Sequence, residues 1–454
     1  MEHHHTPKRK LINDSNSIYW KAAFIFLLIL LLLIPNGLIQ SLISERQNTK
    51  HQVQNEIANS WGNRQTISGP ILAVPYTKLH KAQKEENNWI TEHTYFLAPE
   101  EVDIVADVDS EIRKKSIYEE VLYTSAFNIG GTFDLDEIPR QSLETIDWSK
   151  AALVLGIYDP SGINANVKVN WNDDQMSMSP GSPFQKAVSD GIHTVLDLSE
   201  NHEGVSNFQT QLDLRGHYHI YFDPTAKNTS ISMSSDWPSP GFVGKVLADN
   251  HDITDKGFSA NWKVSEYSRS VPSIWSDDQY RVGNGNRSFG VELIQPVDQY
   301  QQNMRSAKYA LLIISLSFVA FFFFEVMYRK KVHPVQYTFI GLSLSIFYYL
   351  LLSISEHLGF DMAYMIASTS IIALILGYSK SILKSSKSLW ILGLILILLY
   401  SYIFILLQLE EYALIAGSIG LFSILAMIMY MSRNVDWYNM GKSNSKQTVT
   451  TESL

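Results

Sequence analysis

The chain has 454 residues, a net charge of −9, a mean hydropathy of −0.04 and no cysteine. The lack of cysteine excludes disulfide and thiolate chemistry. The hydropathy averages two solvents, because residues 41–306 are polar and residues 307–431 are almost continuously apolar, which excludes a purely soluble protein.

Residues 1–21 read as a cytoplasmic tail carrying Lys8, Arg9, Lys10 and Lys21; His3 to His5 are too few for an ordinary purification tag. An apolar run follows from Ala22 to about Ile39, placed as a transmembrane anchor over 22–40. A basic flank and a short apolar core also describe a signal peptide. No small-residue cleavage site follows, however: the chain continues Ile34-Pro35-Asn36-Gly37 in a helical pattern, so an uncleaved anchor is expected. Residues 38–61, with Leu42, Ile43, Val53, Ile57 and Trp61, read as a stalk helix beyond the bilayer.

From Arg64 the pattern changes to period two, the signature of strands. Ile71 to Tyr76, Val102 to Val108, Val167 to Trp171 and Leu212 to Phe222 are the clearest. In the last, Leu212, Leu214, Tyr218, Ile220 and Phe222 are expected on one face. Asp213, Arg215, His217, His219 and Tyr221 fall on the other, giving a sheet with one wet face. Turn residues at Gly130-Gly131, Asp159-Pro160-Ser161-Gly162, Ser179-Pro180-Gly181, Asp223-Pro224 and Asn284-Gly285 punctuate the region. These signals predict an all-β sandwich, or two abutting ones, over 41–306. With 266 residues this domain is long enough to build its own core. It carries 22 Lys and Arg against 36 Asp and Glu, so nucleic acid and anionic lipid are poor partners for it.

Five further apolar runs are expected to span at 307–328, 335–355, 362–379, 389–408 and 412–431, before a cytoplasmic tail at 432–454. The loops between them alternate in sign. Arg329, Lys330 and Lys331 occupy one, and Lys380, Lys384 and Lys387 another; Glu356, His357 and Asp361, then Glu410 and Glu411, occupy the loops of opposite parity. By the positive-inside rule both termini are cytoplasmic and the 41–306 domain is periplasmic. The fold class is therefore an α+β membrane protein: six transmembrane helices, one an N-terminal anchor and five a C-terminal bundle, with a large all-β extracytoplasmic domain.

Chemistry is thinly signalled. There is no H-E-x-x-H, no G-x-S-x-G and no phosphate loop, and Gly283-Asn284-Gly285-Asn286 lacks the helix and lysine that a phosphate cradle needs. His217 and His219, with Asp213, could reach one metal from a strand face, or simply make that face polar. Ser235 to Phe242 sets Trp237 and Phe242 in a proline-stiffened loop, which either binds a partner or plugs its rings into the domain. Glu325 lies inside a span, four residues before Arg329, a spacing that suits an interfacial pair. Glu356, His357, Asp361, Glu410 and Glu411 would share the outer bilayer surface. Read blandly they are polar loops; read functionally they hold a cation or proton, or dock the β domain, with Arg46, Lys50, Arg305 or Lys308 as compensating charges.

Several long stretches resemble the CreD family of bacterial inner-membrane proteins. They are Ser68-Gly69-Pro70-Ile71-Leu72-Ala73-Val74-Pro75-Tyr76, Ser235 to Gly244, Pro334 to Tyr337, Leu350 to Phe360, Leu407 to Leu414 and Arg433 to Tyr438. Gly241 stands where the family often has Ser, Glu411 where it tends to have Asp, and Lys115 near Ser116 where relatives tend to read Arg-Gly. The resemblance implies an inner-membrane protein linked to envelope integrity and tolerance of envelope stress, with no established reaction. The expectation is thus a non-enzymatic envelope protein without cofactor, whose partners are the lipid bilayer and envelope proteins or cell-wall components. A transporter or a handler of lipid and envelope precursors is the alternative. An enzyme built on the outer carboxylates is a third.

Overall fold

The computed structural model describes residues 14–81, 88–269, 271–277, 279–283, 287–295, 298–327, 332–383, 385–409 and 412–433. The chain divides into two compact units, one of residues 50–297 and one of residues 1–49 with 298–454. The first is the β unit and the second the helical unit.

In the β unit, Trp61 ends a long helix and the strand Gln65–His80 begins after Gly62. Among the described residues two sheets form, of ten and eight strands. In the eight-stranded sheet the hairpin of Glu101–Lys115 and Tyr118–Asp134 is flanked by Asn228–Ser235 and Val205–His217. Val102, Ile104, Ala106 and Val108 alternate inward along Glu101–Lys115 while Glu101, Asp103, Val105 and Asp107 stay exposed. The ten-stranded sheet centres on Gln65–His80, which pairs with His219–Asp223, Ala151–Ile157 and Trp89–Leu97. One core joins residues of both sheets, including Leu72, Val74, Ile104, Phe127, Leu212 and Trp262, so the unit is a sandwich as the period-two pattern requires.

Two features differ from the sequence reading. Leu212 to Phe222 is not one strand. Tyr218 adopts φ 62, and the chain there leaves the eight-stranded sheet at His217 and enters the ten-stranded one at His219. The alternation is thus reset mid-run, and His217 is buried. The ten-stranded sheet also lacks a wet face where Ala151–Ile157 lies: all seven residues are buried. Leu153 and Leu155 enter the main core, while Val154 joins Ile71, Ala73, Phe96, Val188 and Trp275 in a second cluster.

In the helical unit, α1 (Asp14–Trp61) is one 48-residue helix with Pro35 inside it, whose part up to Thr49 belongs here. Ile25, Leu28, Leu32, Asn36, Ile39 and Ile43 form a buried stripe at helical spacing. Phe26, Leu27, Leu31, Ile34 and Leu38 are exposed apolar side chains, as on a lipid-facing surface. Leu32 packs so closely on α3 (Ala310–Met327) and α4 (Pro334–Leu358) that a Cβ added to Gly341 would lie 2.5 Å from it and 2.8 Å from Phe318. The first helix is therefore part of the helical unit and more than an anchor.

The expected span at 307–328 is divided. A helix α2 (Gln299–Lys308) precedes α3 with a 45° bend at Tyr309. The Asp298 side chain accepts from Tyr300 N at 2.9 Å and starts α2 early, burying Tyr300, Asn303, Ser306 and Ala307. By its contacts the helical unit takes in residues 41–49 and 298–306. The helix α4 starts with Pro334 at its first position and His333 as cap, then ends at Gly359 with φ 76. It is followed by α5 (Phe360–Leu383), α6 (Ser386–Gln408) and the 20-residue α7 (Ala413–Ser432). By length and apolarity α1, α4, α5 and α6 can each cross a membrane, and α2 with α3 make a fifth if the bent pair is one span. This is four or five candidate spans among the described residues, against the six expected.

Candidate functional site

The outer acidic residues are held in separate contacts. On α4, Glu356 Oε1 accepts from Tyr300 Oη at 3.1 Å and lies 3.8 Å from Arg46 Nε on α1. One turn of packing below, Asn303 Nδ2 donates to Ser355 Oγ at 2.8 Å in a buried bond. Asp361, at the start of α5, instead accepts from Gln408 Nε2 at the end of α6. His357 is exposed, and Glu410 and Glu411 lie outside the described residues. Among the described residues, Glu356 and Asp361 each have a partner on another helix. These make two helix-to-helix ties, and Tyr300 and Asn303 enter from a helix whose start the sequence did not signal.

The opposite end of α1 has its own tie. Lys21 Nζ donates to Glu325 Oε1 and, at 3.0 Å, to Val332 O. Glu325 also accepts from Val332 N at 3.2 Å and from Tyr337 Oη at 3.0 Å. One partner of Glu325 is thus a lysine 304 residues away, while the expected partner Arg329 lies outside the described residues. An i,i+4 rule could not find a partner on another helix. Lys21 and Arg46 are separated along α1 by about 37 Å, close to the thickness of a bilayer with its interfaces.

In the β unit, Trp237 and Phe242 both turn inward. Trp237 is 8% exposed, and its Nε1 donates to Ile294 O at 3.1 Å. Phe242 packs edge-on to Phe258 and Trp262. The prolines stiffen a loop that closes the core, and the exposed aromatic pair of a docking loop is not formed. The histidines are also spoken for. His217 Nδ1 donates to Gly62 O at 3.1 Å, and burial pushes its basicity down. His219 stacks on Tyr221 with ring centroids 3.9 Å apart; burial, with Arg64 and His217 nearby, lowers its pKa to about 4. Asp213 is exposed on the eight-stranded sheet. No group of three His, Cys, Asp or Glu among the described residues is placed to hold a metal.

The β unit carries a cleft of about 310 Å³ that sequence reading missed, lined among others by Ser68, Tyr158, Asp159, Ser189, Asp190 and Gly283. It lies where the pairing of Gln65–His80 with Ala151–Ile157 shifts register between Ser68 and Ile71. Such an irregularity re-aims side chains at a sheet's end. Asp159 forms one wall. Burial raises its carboxyl, but hydrogen bonds from Ser161 and Asn63 outweigh this and hold it below the usual carboxylate value. Its oxygens are saturated: Oδ2 accepts from Asn63 N and Nδ2, both at 2.8 Å, and Oδ1 from Ser161 N and Oγ.

The family model for the inner membrane protein CreD matches residues 17–438. The inner membrane protein CreD of Escherichia coli (strain K12) is 31% identical over 440 residues, covering 96% of this chain and 97% of that protein. With a match running from the first helix through the β unit to the end of the last, the chain belongs to the CreD family of inner membrane proteins.

Proposed function

We propose that the protein is a non-enzymatic component of the bacterial envelope, contributing to its integrity under stress through a β unit held on the periplasmic side. In this reading α1, the α2–α3 pair and α4 to α7 make six spans with both termini cytoplasmic. The observation that carries it is the placement of charge along α1. Lys21 meets Glu325 at one end and Arg46 meets Glu356 at the other, with exposed apolar side chains between them. The loop charges support the orientation, since Lys380 and Lys387 flank one end of the α5–α6 hairpin and Asp361 the other.

Two experiments test this. Because the native chain has no cysteine, single cysteines report location cleanly. Those at Asp173 and Asp361 should react with an impermeant thiol reagent in cells with a permeabilised outer membrane, and one at Lys387 only after lysis. Labelling of residue 387 from outside would overturn the arrangement. In a deletion strain challenged with detergent, a chain whose residues 50–297 are replaced by a short linker should insert but fail to restore growth. Full rescue would remove the β unit from the function.

A further inference from the structure

We propose that the cleft at Ser68, Tyr158 and Asp190 binds a sugar unit of an envelope glycan. Four observations converge on a polyhydroxylated ligand. The first is the polar lining: among the described residues, the hydroxyls of Ser68, Ser189 and Tyr158 and the carboxylate of Asp190 have no hydrogen-bond or ion-pair partner. The cleft therefore offers three groups that donate or accept and one that accepts from two hydroxyls at once, the inventory that vicinal sugar hydroxyls satisfy. The second is the ring of Tyr158, 68% exposed at the rim. An exposed phenol presents an apolar face with a polar tip, suited to the C–H face of a pyranose.

The third is that the cleft wall is closely packed at its glycines. A Cβ on Gly156 would stand 3.1 Å from Ser68 Cβ and from Val188 Cγ1, and one on Gly283 would stand 3.0 Å from Ser68 Oγ. The fourth is rigidity. Asp159 is fixed by Asn63 and Ser161, and Gly283 N donates to the buried Asp223 at 2.8 Å. Val282 N donates to Ala187 O at 2.8 Å, and Tyr158 N to Thr66 O at 3.1 Å. Prepositioned walls lower the entropy lost on binding. The volume, at the small end of ligand sites, suits one sugar ring with its substituents. A lipid tail is a poor fit to so polar a lining, and a phosphate would meet the carboxylate of Asp190.

This inference rests on the periplasmic placement of the β unit for its source of ligand, but binding by purified protein does not depend on orientation, so the two can fail separately. The full chain in detergent would be studied by saturation-transfer NMR with two probes, a β-1,4-linked N-acetylglucosamine trimer and maltotriose. Transfer to the first alone would indicate an aminoglycan such as the cell wall, and transfer to the second alone or to both a hexose-type glycan; either supports the site. Tyr158→Ala and Asp190→Asn each alter an exposed side chain and should leave circular dichroism unchanged while raising Kd at least fivefold. Transfer to neither probe, or undiminished transfer in both variants, would overturn the proposal.

Discussion

Glu120 and His219 should tilt the pH dependence of β-unit stability in opposite directions. Glu120, on Tyr118–Asp134, is a buried carboxyl; burial raises its pKa from 4.5 to about 7, against the pull of Lys50 and Arg64. His219 goes the other way, from 6.5 to about 4, because burial and the nearby charge of Arg64 disfavour its cation. For Glu120 the folded state holds the proton that the unfolded chain releases above pH 4.5, so stability falls as pH rises from 4.5 towards 7. For His219 the unfolded chain takes up a proton that the folded state refuses, so stability falls as pH drops from 6.5 towards 4. Each change corresponds to at most about 3 kcal/mol, reduced towards about 1 kcal/mol by residual solvent screening.

In the native chain the two slopes oppose one another across pH 4.5–6.5. Glu120→Gln should leave only the histidine slope, with stability climbing to pH 6.5 and flat above it, and a gain over the native chain at pH 7.5. His219→Phe keeps an aromatic ring against Tyr221 and should leave only the falling slope between pH 4.5 and 7. Seven of the ten tryptophans lie in residues 50–297, so tryptophan fluorescence during thermal unfolding of the full chain in detergent reports mainly on this unit. With roughly 2–4 °C per kcal/mol for a unit of this size, shifts of several degrees are expected. Parallel pH profiles for the native chain and both variants would refute the reasoning.

Gly341→Leu should drive its side chain into Leu32 and Phe318, costing about 1–3 kcal/mol and lowering the unfolding temperature of the helical unit, as measured by circular dichroism at 222 nm. Lys21→Met alone should cost about 1–3 kcal/mol by leaving the partly buried Glu325 without its cation, while Lys21→Met with Glu325→Met should recover most of the loss; an additive double variant would contradict the pairing. Trp237→Phe should cost about 1–3 kcal/mol through the abandoned Ile294 carbonyl, and Trp237→Ala more through the cavity, both read as lowered β-unit stability.

The membrane part was legible because its signals are long and redundant. Eighteen apolar residues in a row have few alternatives to a helix, and the ends of α4, α5 and α6 fall within a few residues of the expected spans. What escaped was the junction before α3. Tyr309 bends the chain by 45° without a proline or glycine to announce it, and α2 is too polar to resemble a span. The sandwich was legible from Val102 to Val108, where every second residue is buried. It was misread at Leu212 to Phe222 because a residue at φ 62 resets the alternation, and tyrosine gives no hint of that conformation.

The candidate sites were harder for one reason: each depends on a partner distant in sequence. Glu325 near Arg329 looked like a local pair, yet it reaches across to Lys21 because a charge inside a span is best compensated by another helix with its own interfacial cation. Glu356 and Asp361 are five residues apart but occupy different helices across the Gly359 turn, and so face Arg46 with Tyr300 in one case and Gln408 in the other. The cleft residues Ser68, Tyr158 and Asp190 sit on three separated segments, and only sheet pairing brings them together. A motif scan compares neighbours along the chain. In this protein the charges that tie α1 to the helical unit, and the hydroxyls that line the cleft, become neighbours only after the apolar residues around them have packed.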